Sequence, residues 1–276
     1  MCIRDRVYTI PETSRTARGT PIVNLVNLDG DDEIAAVISV RDFDEEVDLF
    51  FCSRKGLVKR TRLGDYRNIR TSGLRAYDCA EGDELLSVLK TRTEQHVLIT
   101  TKAGKCIRFQ GINEDGELEV RHMGRVARGV RGIKLKSEDE IAGLEMLEAD
   151  ADMLLLTVTE NGYGKRTAID KYRVQGRGGQ GVINMVVDDR NGMVVGSVQV
   201  HDTDLIMMMT NTGRVIKIPV VNIRETQSRA AKGVRLMRID KDERIVSVTR
   251  VVEPEEMDEE DAFEGVDGLP VEGAEE

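Results

Sequence analysis

Short apolar runs alternate with polar turns along the chain, and four of these arrangements follow one pattern. Each begins with an apolar run, passes through a polar turn that ends in glycine, and continues into a second run with a basic residue four positions after the glycine. Because β-branched residues dominate the runs and glycine interrupts them too often for helices, each arrangement predicts a β-hairpin. The hairpins span 49–61, 97–109, 154–167 and 205–218, and their turn glycines are Gly56, Gly104, Gly162 and Gly213.

Two further motifs recur between the hairpins in a constant order. One is a basic, polar loop that closes on glycine and leads into an apolar strand, with closing glycines Gly19, Gly73, Gly129, Gly181 and Gly233. The other is an acidic or glycine-containing turn before another apolar run, starting at residues 32, 83, 139, 191 and 242. Each repeat therefore holds about four short strands in roughly 50–58 residues, the length of a propeller blade. A large β-sandwich is the alternative, but three motifs recurring in one order favour the propeller.

We therefore predict an all-β, propeller-like fold of four-stranded blades, with four full blades and part of a fifth. The repeats are placed at 6–47 (partial), 48–93, 94–151, 152–203 and 204–252. The first is partial because residues 6–11 align with residues 214–219, the second strand of a hairpin. We expect the chain to be a fragment, with disorder or misassembly at the edge formed by residues 6–11.

The charge is distributed unevenly. The chain has a formal net charge of −10, but residues 253–276 contain twelve acidic and no basic residues, which leaves 38 acidic and 40 basic residues in 1–252. An acidic segment with one phenylalanine cannot bury enough apolar surface to fold. The sequence thus predicts a nearly neutral folded domain at 1–252 and a disordered acidic tail at 253–276. The tail either competes with an anionic partner for basic residues of the folded domain or is a solvated spacer.

The cysteines and the N-terminus indicate the cellular location of the protein. Cys2, Cys52, Cys79 and Cys106 form no C-x-x-C pair, and no apolar run suits a signal sequence or a membrane span. We expect reduced thiols in a soluble cytoplasmic protein that has no membrane partner.

Candidate catalytic chemistry is sparse. His96, His122 and His201 fall in different repeats without metal-ligand spacing, and no H-E-x-x-H, G-x-S-x-G or Walker-type motif is present. We predict no catalytic residues, no metal site and no cofactor for this chain.

Basic residues recur at equivalent positions in every repeat: one in the second hairpin strand and several in the loop before the third strand. The densest loop, 121–136, carries six arginines and lysines and no acidic residue. Repeated basic loops would form a curved stripe that suits the phosphates of bent duplex DNA, and the few aromatics argue against single strands. The candidate DNA-binding residues are Lys59, Arg60, Arg70, Arg75, Arg108, Arg121, Arg125, Arg128, Arg131, Lys165, Arg166, Arg173, Arg177, Lys217, Arg229, Lys232 and Arg235.

Several of these segments resemble one family. Residues 7–25, the hairpin at 160–167, the strand at 243–251 and the acidic tail are similar to the C-terminal domain of the DNA gyrase A protein family. The resemblance covers about residues 6–252 and implies a six-bladed β-pinwheel that wraps duplex DNA on its basic perimeter. It also implies a role in ATP-dependent negative supercoiling, in an A2B2 holoenzyme that contains the gyrase B protein and the rest of the gyrase A protein. ATP, Mg²⁺ and the DNA-cleaving tyrosine would lie outside this chain, and the location would be bacterial and nucleoid-associated.

The chain departs from the family pattern in one motif. The hallmark double-glycine box belongs to a blade that we expect to be absent, and residues 175–181 resemble it with glycine and glutamine where the hallmark is basic. The alternatives are the corresponding C-terminal domain of topoisomerase IV, a protein-interaction β-propeller, and a propeller enzyme, which the lack of a convergent catalytic set disfavours.

Overall fold

The computed structural model describes residues 4–5, 35–68, 74–148 and 153–251. Most of the partial repeat at 6–47, including its edge at 6–11, and the whole acidic tail at 253–276 lie outside the described residues, as does Arg70. Within the described ranges the chain forms strands and three short 3-10 helices, at Leu63–Tyr66, Ile169–Lys171 and Val220–Asn222. None of the helices in those ranges is long and apolar enough to cross a membrane.

The strands follow one another in the predicted rhythm. In chain order they are β1 (Arg4–Asp5), β2 (Asp48–Ser53), β3 (Leu57–Arg62), β4 (Leu74–Arg75), β5 (Leu85–Thr91), β6 (His96–Thr101), β7 (Lys105–Phe109), β8 (Val130–Arg131), β9 (Ile141–Leu147), β10 (Leu154–Thr159), β11 (Tyr163–Ala168), β12 (Val182–Ile183), β13 (Val194–Val200), β14 (Leu205–Thr210), β15 (Val215–Pro219), β16 (Val234–Arg235) and β17 (Ile245–Val251).

The strands pair into a series of antiparallel sheets. Three sheets have four strands, in the orders β5-β2-β3-β8, β9-β6-β7-β12 and β13-β10-β11-β16. A further sheet, β17-β14-β15, has three strands among the described residues, and β1 pairs with β4. The all-β, blade-like architecture predicted from the sequence is confirmed.

Each four-stranded sheet takes its outer strand from the repeat that follows. β8, β12 and β16 lie in the third strand position of the next repeat, yet they pair with β3, β7 and β11 of the preceding one. The boundaries of the sequence repeats, which remain a prediction, are therefore not the boundaries of the sheets. This exchange ties consecutive blades together through backbone hydrogen bonds.

The hairpin turns explain the recurring glycine. In the first hairpin the N–H of Gly56 donates to the carbonyl of Ser53 at 3.0 Å, which closes a four-residue turn. Gly56 has φ of +82°, a conformation that costs a side-chain-bearing residue about 1–2 kcal/mol. The equivalent glycines of the other three hairpins make the same turn.

The apolar core lies between successive sheets. One cluster joins Phe50 and Val58 of one sheet to Ile99 and Ile107 of the next. The inner strands β5, β9, β13 and β17 contact one another in succession, so the sheets fan out from a shared inner side. The short strands β8, β12 and β16 therefore lie along the outer edge of the fan, and the loops before them are placed there too.

Candidate nucleic-acid interface

The basic loops dock onto the preceding blade through their closing glycines. Gly129 has φ of +90°, and a Cβ atom there would lie 2.9 Å from the carbonyl carbon of Val58 in β3 and closer still to its oxygen. Gly233 approaches β11 in the same way, because a Cβ would lie 2.6 Å from the Gly164 oxygen. Only glycine permits this backbone approach, which brings β8 and β16 into register with the blade edge.

The same docking places arginines at equivalent positions on the outer edge. Arg125, Arg177 and Arg229 each stand four residues before a closing glycine, and each is at least partly exposed. Arg131 and Arg235 stand two residues after one, on β8 and β16, and are exposed. The structure thus places these loop arginines of three consecutive repeats at the outer edges of their sheets.

Some of the exposed cations near these loops are paired with carboxylates. Arg128 donates from Nε to Asp78 at 2.7 Å, and this hydrogen bond holds the pKa of that carboxyl below its usual range. Lys232 lies 2.7 Å from Asp188. Arg121 and Arg177 contact carboxylates of the segment 111–119, at distances of 2.9 and 4.0 Å.

Other cations have no carboxylate within ion-pair distance in the described ranges. Five of these, whose side chains make no hydrogen bond either in the described ranges, are Arg125, Arg131, Arg173, Lys134 and Lys136. Exposed pairs contribute little to stability, and unpaired exposed cations contribute less. These side chains therefore have no evident structural task, which makes them the best candidates for contact with an anionic partner.

A metal site and a reactive thiol are the other two chemical sites to consider among the described residues. Within the described residues, no group of three or more histidines, cysteines, aspartates or glutamates could hold a metal ion. Burial raises the pKa of the Cys52 and Cys106 thiols to about 12, so they stay protonated and unreactive.

The comparison with protein families covers most of the chain. A model described as "DNA gyrase C-terminal domain, beta-propeller" matches residues 2–41, 48–92, 95–148, 154–200 and 204–251. The chain belongs to this family. The resemblance seen in the sequence is confirmed, and the five matched segments lie close to the five predicted repeats.

Curated members of the family are similar over nearly the whole chain. The DNA gyrase A protein of Salmonella typhimurium is 44% identical over 260 residues, which are 94% of this chain and 29% of the relative. The gyrase A protein of Escherichia coli K12 is 42% identical over 271 residues, 98% of this chain and 30% of the relative. That of Staphylococcus aureus MRSA252 is 38% identical over 255 residues, 92% and 28%. The chain therefore spans about 30% of the length of these relatives.

Two solved structures have a similar fold. The C-terminal domain of DNA topoisomerase IV has a TM-score of 0.76 and 26% identity, covering 84% of this chain and 70% of that one. The DNA gyrase A C-terminal domain has a TM-score of 0.74 and 24% identity, covering 86% and 76%, and supports the fold alone.

Five of the predicted DNA-binding residues lie in the interior of this gyrase-family fold. Lys59, Arg60, Arg108, Lys165 and Arg166 are buried, with Lys59 and Lys165 at 0% exposure. A buried ammonium or guanidinium group cannot reach a phosphate outside the protein. The prediction that these five side chains lie at the surface was therefore wrong, because the next repeat covers β3, β7 and β11.

The two buried lysines are held by polar groups and aromatic rings. The Lys59 Nζ donates to the carbonyls of Ala76 and Arg125, the latter at 2.6 Å, and lies 4.4 Å from the centroid of the Phe51 ring. Lys165 donates to the Thr167 hydroxyl at 2.7 Å. Burial lowers the pKa of each lysine to about 8. Lys59 thus fixes the backbone of Arg125, a candidate DNA-binding residue, from the interior of the blade.

Two of the buried arginines, Arg108 and Arg166, join one repeat to the next. Arg108 donates from Nη1 to the carbonyl of Ile169 at 3.1 Å and from Nε to His96 at 3.1 Å. Arg166 makes the equivalent contact with the carbonyl of Ile223. Arg60 lies 3.6 Å from Asp48. Desolvation lowers the pKa of Arg60 and Arg108, but arginine stays charged at any working pH.

The remaining predicted residues within the described ranges are exposed or half-buried. Lys217 occupies the position equivalent to Arg166 but is exposed, because no strand in the described part of the chain covers β15. Arg75 is exposed on β4 and lies 3.1 Å from Asp78. Arg229 reaches back to the carbonyl of Ile183.

One basic residue that Tyr163 brings close to Arg235 of β16 was not among the predicted residues. Arg190 lies in the turn before β13, where the repeats were characterised only by acidic residues and glycine. Its guanidinium lies 4.9 Å from the ring centroid of Tyr163. The sequence offers one signal for it. The residue directly after the turn glycine is Tyr163 in this hairpin, whereas it is Leu57, Lys105 and Arg214 in the others.

Proposed function

We propose that this domain binds duplex DNA along the outer edge of its blades and bends it, as the DNA-wrapping part of a DNA gyrase A protein. The observation that carries the proposal is the equivalent placement of Arg125, Arg177 and Arg229 on three consecutive docked loops. Duplex DNA presents about one negative charge per 1.7 Å of axis, so a curved row of cations favours a curved duplex. Such contacts go to phosphates and carry no sequence information.

The proposal extends to a larger assembly. The domain would act with the rest of the gyrase A protein and with the gyrase B protein, in an A2B2 complex that uses ATP and Mg²⁺ elsewhere to supercoil DNA negatively. The domain itself supplies no catalytic group; its chemistry is the neutralisation of phosphate charge. Its place would be the bacterial cytoplasm, at the nucleoid.

Binding across a salt series tests the proposal. Fluorescence anisotropy with a labelled duplex of random sequence gives the affinity of the full chain between low and physiological salt. We expect the log of the affinity to fall steeply with the log of the salt concentration. For R125Q/R177Q/R229Q this slope should be shallower by about 2–3, because each lost phosphate contact reduces it by about 0.9. A flat slope for the unmodified chain would refute DNA binding.

The matched control removes the same charge elsewhere. Lys55, Arg92 and Lys241 are exposed and lie in turns that do not precede β8, β12 or β16. The variant K55Q/R92Q/K241Q has the same net charge as the arginine variant. If both variants weaken binding equally, bulk charge and not the outer edge governs affinity, and the proposed surface is wrong.

A second measurement separates wrapping from simple binding. A nicked plasmid is sealed with ligase in the presence of saturating protein, and the topoisomers are resolved on a gel. A shift of their distribution supports wrapping by a gyrase-type domain. Tight, salt-dependent binding without a shift favours the topoisomerase IV type, whose solved domain has a similar fold. A protein-interaction propeller predicts neither result.

A further inference from the structure

Tyr163 holds two arginines from different parts of the chain. Its hydroxyl accepts a hydrogen bond from Nη2 of Arg235 at 2.8 Å and another from Nε of Arg190 at 3.3 Å. Both guanidinium groups also lie near its ring, with Cζ atoms 5.4 and 4.9 Å from the centroid. The tyrosine therefore orients both arginines by hydrogen bonding and by cation–π contact.

The backbone around this group is firmly built. Arg235 lies on β16 directly opposite Tyr163 on β11, so the two residues come from consecutive repeats. Arg190 stands in a turn pinned by the buried amide of Asn191, which donates to the carbonyls of Val186 and Lys232 at 2.8 and 3.1 Å. The positions of both arginines are thus set by the same docking that places the outer-edge loops.

The local charges are unbalanced. Neither Arg190 nor Arg235 has a carboxylate within ion-pair distance in the described part of the chain, and the nearby Asp188 is paired with Lys232 at 2.7 Å. Lys232 thus takes the Asp188 carboxylate, and neither arginine is neutralised by an ion pair. Two guanidinium groups held against one ring repel each other, and an anion placed between them relieves that repulsion.

We propose that Arg190 and Arg235 form a clamp for one phosphodiester group of bound DNA, with Tyr163 as its positioning residue. Planar guanidinium groups suit phosphate oxygens, and two of them can bind both free oxygens of one phosphodiester. This inference rests on the proposed DNA binding and assigns one contact within it. The position of Tyr163 is taken by Leu57, Lys105 and Arg214 in the other hairpins, so the clamp belongs to one blade among those described.

The arginine pair is tested against a matched pair. We expect R190Q/R235Q to weaken duplex binding about tenfold at low salt and to reduce the salt slope by about 1–2. The control R54Q/R244Q removes two exposed arginines that are already paired, with Glu84 at 2.7 Å and with Glu160 at 3.4 Å, and should change affinity less than twofold. An unchanged slope for R190Q/R235Q, with a steep slope for the unmodified chain, would overturn the clamp and leave the proposed function standing.

The role of Tyr163 needs a readout that a structural residue would not move. The variant Y163F keeps the ring but loses both hydrogen bonds, so it should weaken binding several-fold while its unfolding midpoint stays close to that of the unmodified chain. Combined with R190Q/R235Q it should add nothing further, because the residues act as a unit. Additive losses would show that Tyr163 does not position the arginines.

A spectroscopic signal reports on the clamp directly. The two arginine hydrogen bonds, that of Arg190 first, hold the pKa of Tyr163 below its usual value. A bound phosphodiester competes for these guanidinium groups and brings negative charge, so DNA should raise that pKa. At alkaline pH, adding DNA should therefore lower the tyrosinate absorbance of the unmodified chain, and Y163F should show no such loss. An equal loss in both proteins would contradict the proposal. Failure of the unmodified chain to bind DNA at all would instead remove the proposed function and the clamp with it.

Discussion

Replacing Gly129 with alanine should detach a basic loop from its blade. The closing glycine has φ of +90° and lies against the backbone of Val58, so an added Cβ meets atoms that cannot rotate away. Two separate costs follow. A positive φ costs an alanine about 1–2 kcal/mol, and forcing an extra carbon into packed backbone costs about 1–3 kcal/mol.

The chain offers variants that separate these costs. Gly213 has φ of +81° with nothing within 4 Å of an added Cβ, so Gly213→Ala should cost about 1–2 kcal/mol from the backbone alone. Gly124 lies in the same loop as Gly129, without a positive φ and with open space around it, so Gly124→Ala should cost nothing. Gly129→Ala should cost about 2–5 kcal/mol, the sum of both effects.

Urea denaturation followed by far-UV circular dichroism measures these differences, and hydrogen exchange locates them. In Gly129→Ala the amides of Val130 and Gly132, which face the hydrogen-bonded positions of β3, should lose protection before those of β2, because β8 leaves the blade edge first. DNA affinity should fall in the same variant, since Arg125 and Arg131 lose their fixed positions. Equal stability losses for Gly129→Ala and Gly213→Ala would show that the close backbone approach carries no energetic weight.

Two further predictions concern the buried cations. Burial lowers the pKa of Lys59 to about 8, below the value of about 10.4 in an unfolded chain, so between these two values the unfolded state binds more protons and stability should rise with pH. The free energy of unfolding of the unmodified chain, relative to that of Lys59→Met, should therefore be larger at pH 9.5 than at pH 7. An equal difference at both pH values would contradict the shift. Arg108→Met should cost about 2–3 kcal/mol in urea denaturation because it removes the charged donor that the carbonyls of Ile169 and Tyr172 share. Arg173→Met, in an exposed loop, should stay within about 0.5 kcal/mol, and equal effects would contradict the joining role.

The hairpins could be predicted because their signals are local. A turn glycine such as Gly56 needs a positive φ, and the flanking apolar runs have the length of strands. The pairing of β8, β12 and β16 with the preceding repeat gives no such local signal in the sequence. β8 is two residues long, too short to show a periodicity, and its partner β3 lies about 70 residues away in a different repeat. Only the requirement of glycine at position 129, explained by contact with Val58, reflects the exchange.

The burial of the hairpin cations could have been foreseen in part. Adjacent residues of a strand point to opposite faces, so Lys59 and Arg60 cannot both face solvent in a sheet that is covered on one side. In a stack of sheets both faces are covered, and both side chains are buried. The repeated basic residues therefore have two different causes: a structural contact in the second hairpin strand, as at Arg108 and Arg166, and an exposed surface in the loops. Sequence alone did not separate these two causes.

The buried and the exposed cations are nevertheless parts of one arrangement. Lys59 donates to the backbone of Arg125, and the carbonyl of Arg60 accepts from the N–H of Met123 at 2.8 Å, so interior contacts of one repeat fix the exposed loop of the next. The carbonyl of Arg108 likewise accepts from the N–H of Gln175 at 2.8 Å, two residues before Arg177. A substitution at a buried cation can therefore weaken DNA binding without removing a phosphate contact. The salt slope distinguishes the two cases, because it counts the phosphates that are neutralised and is insensitive to how firmly the loop is held.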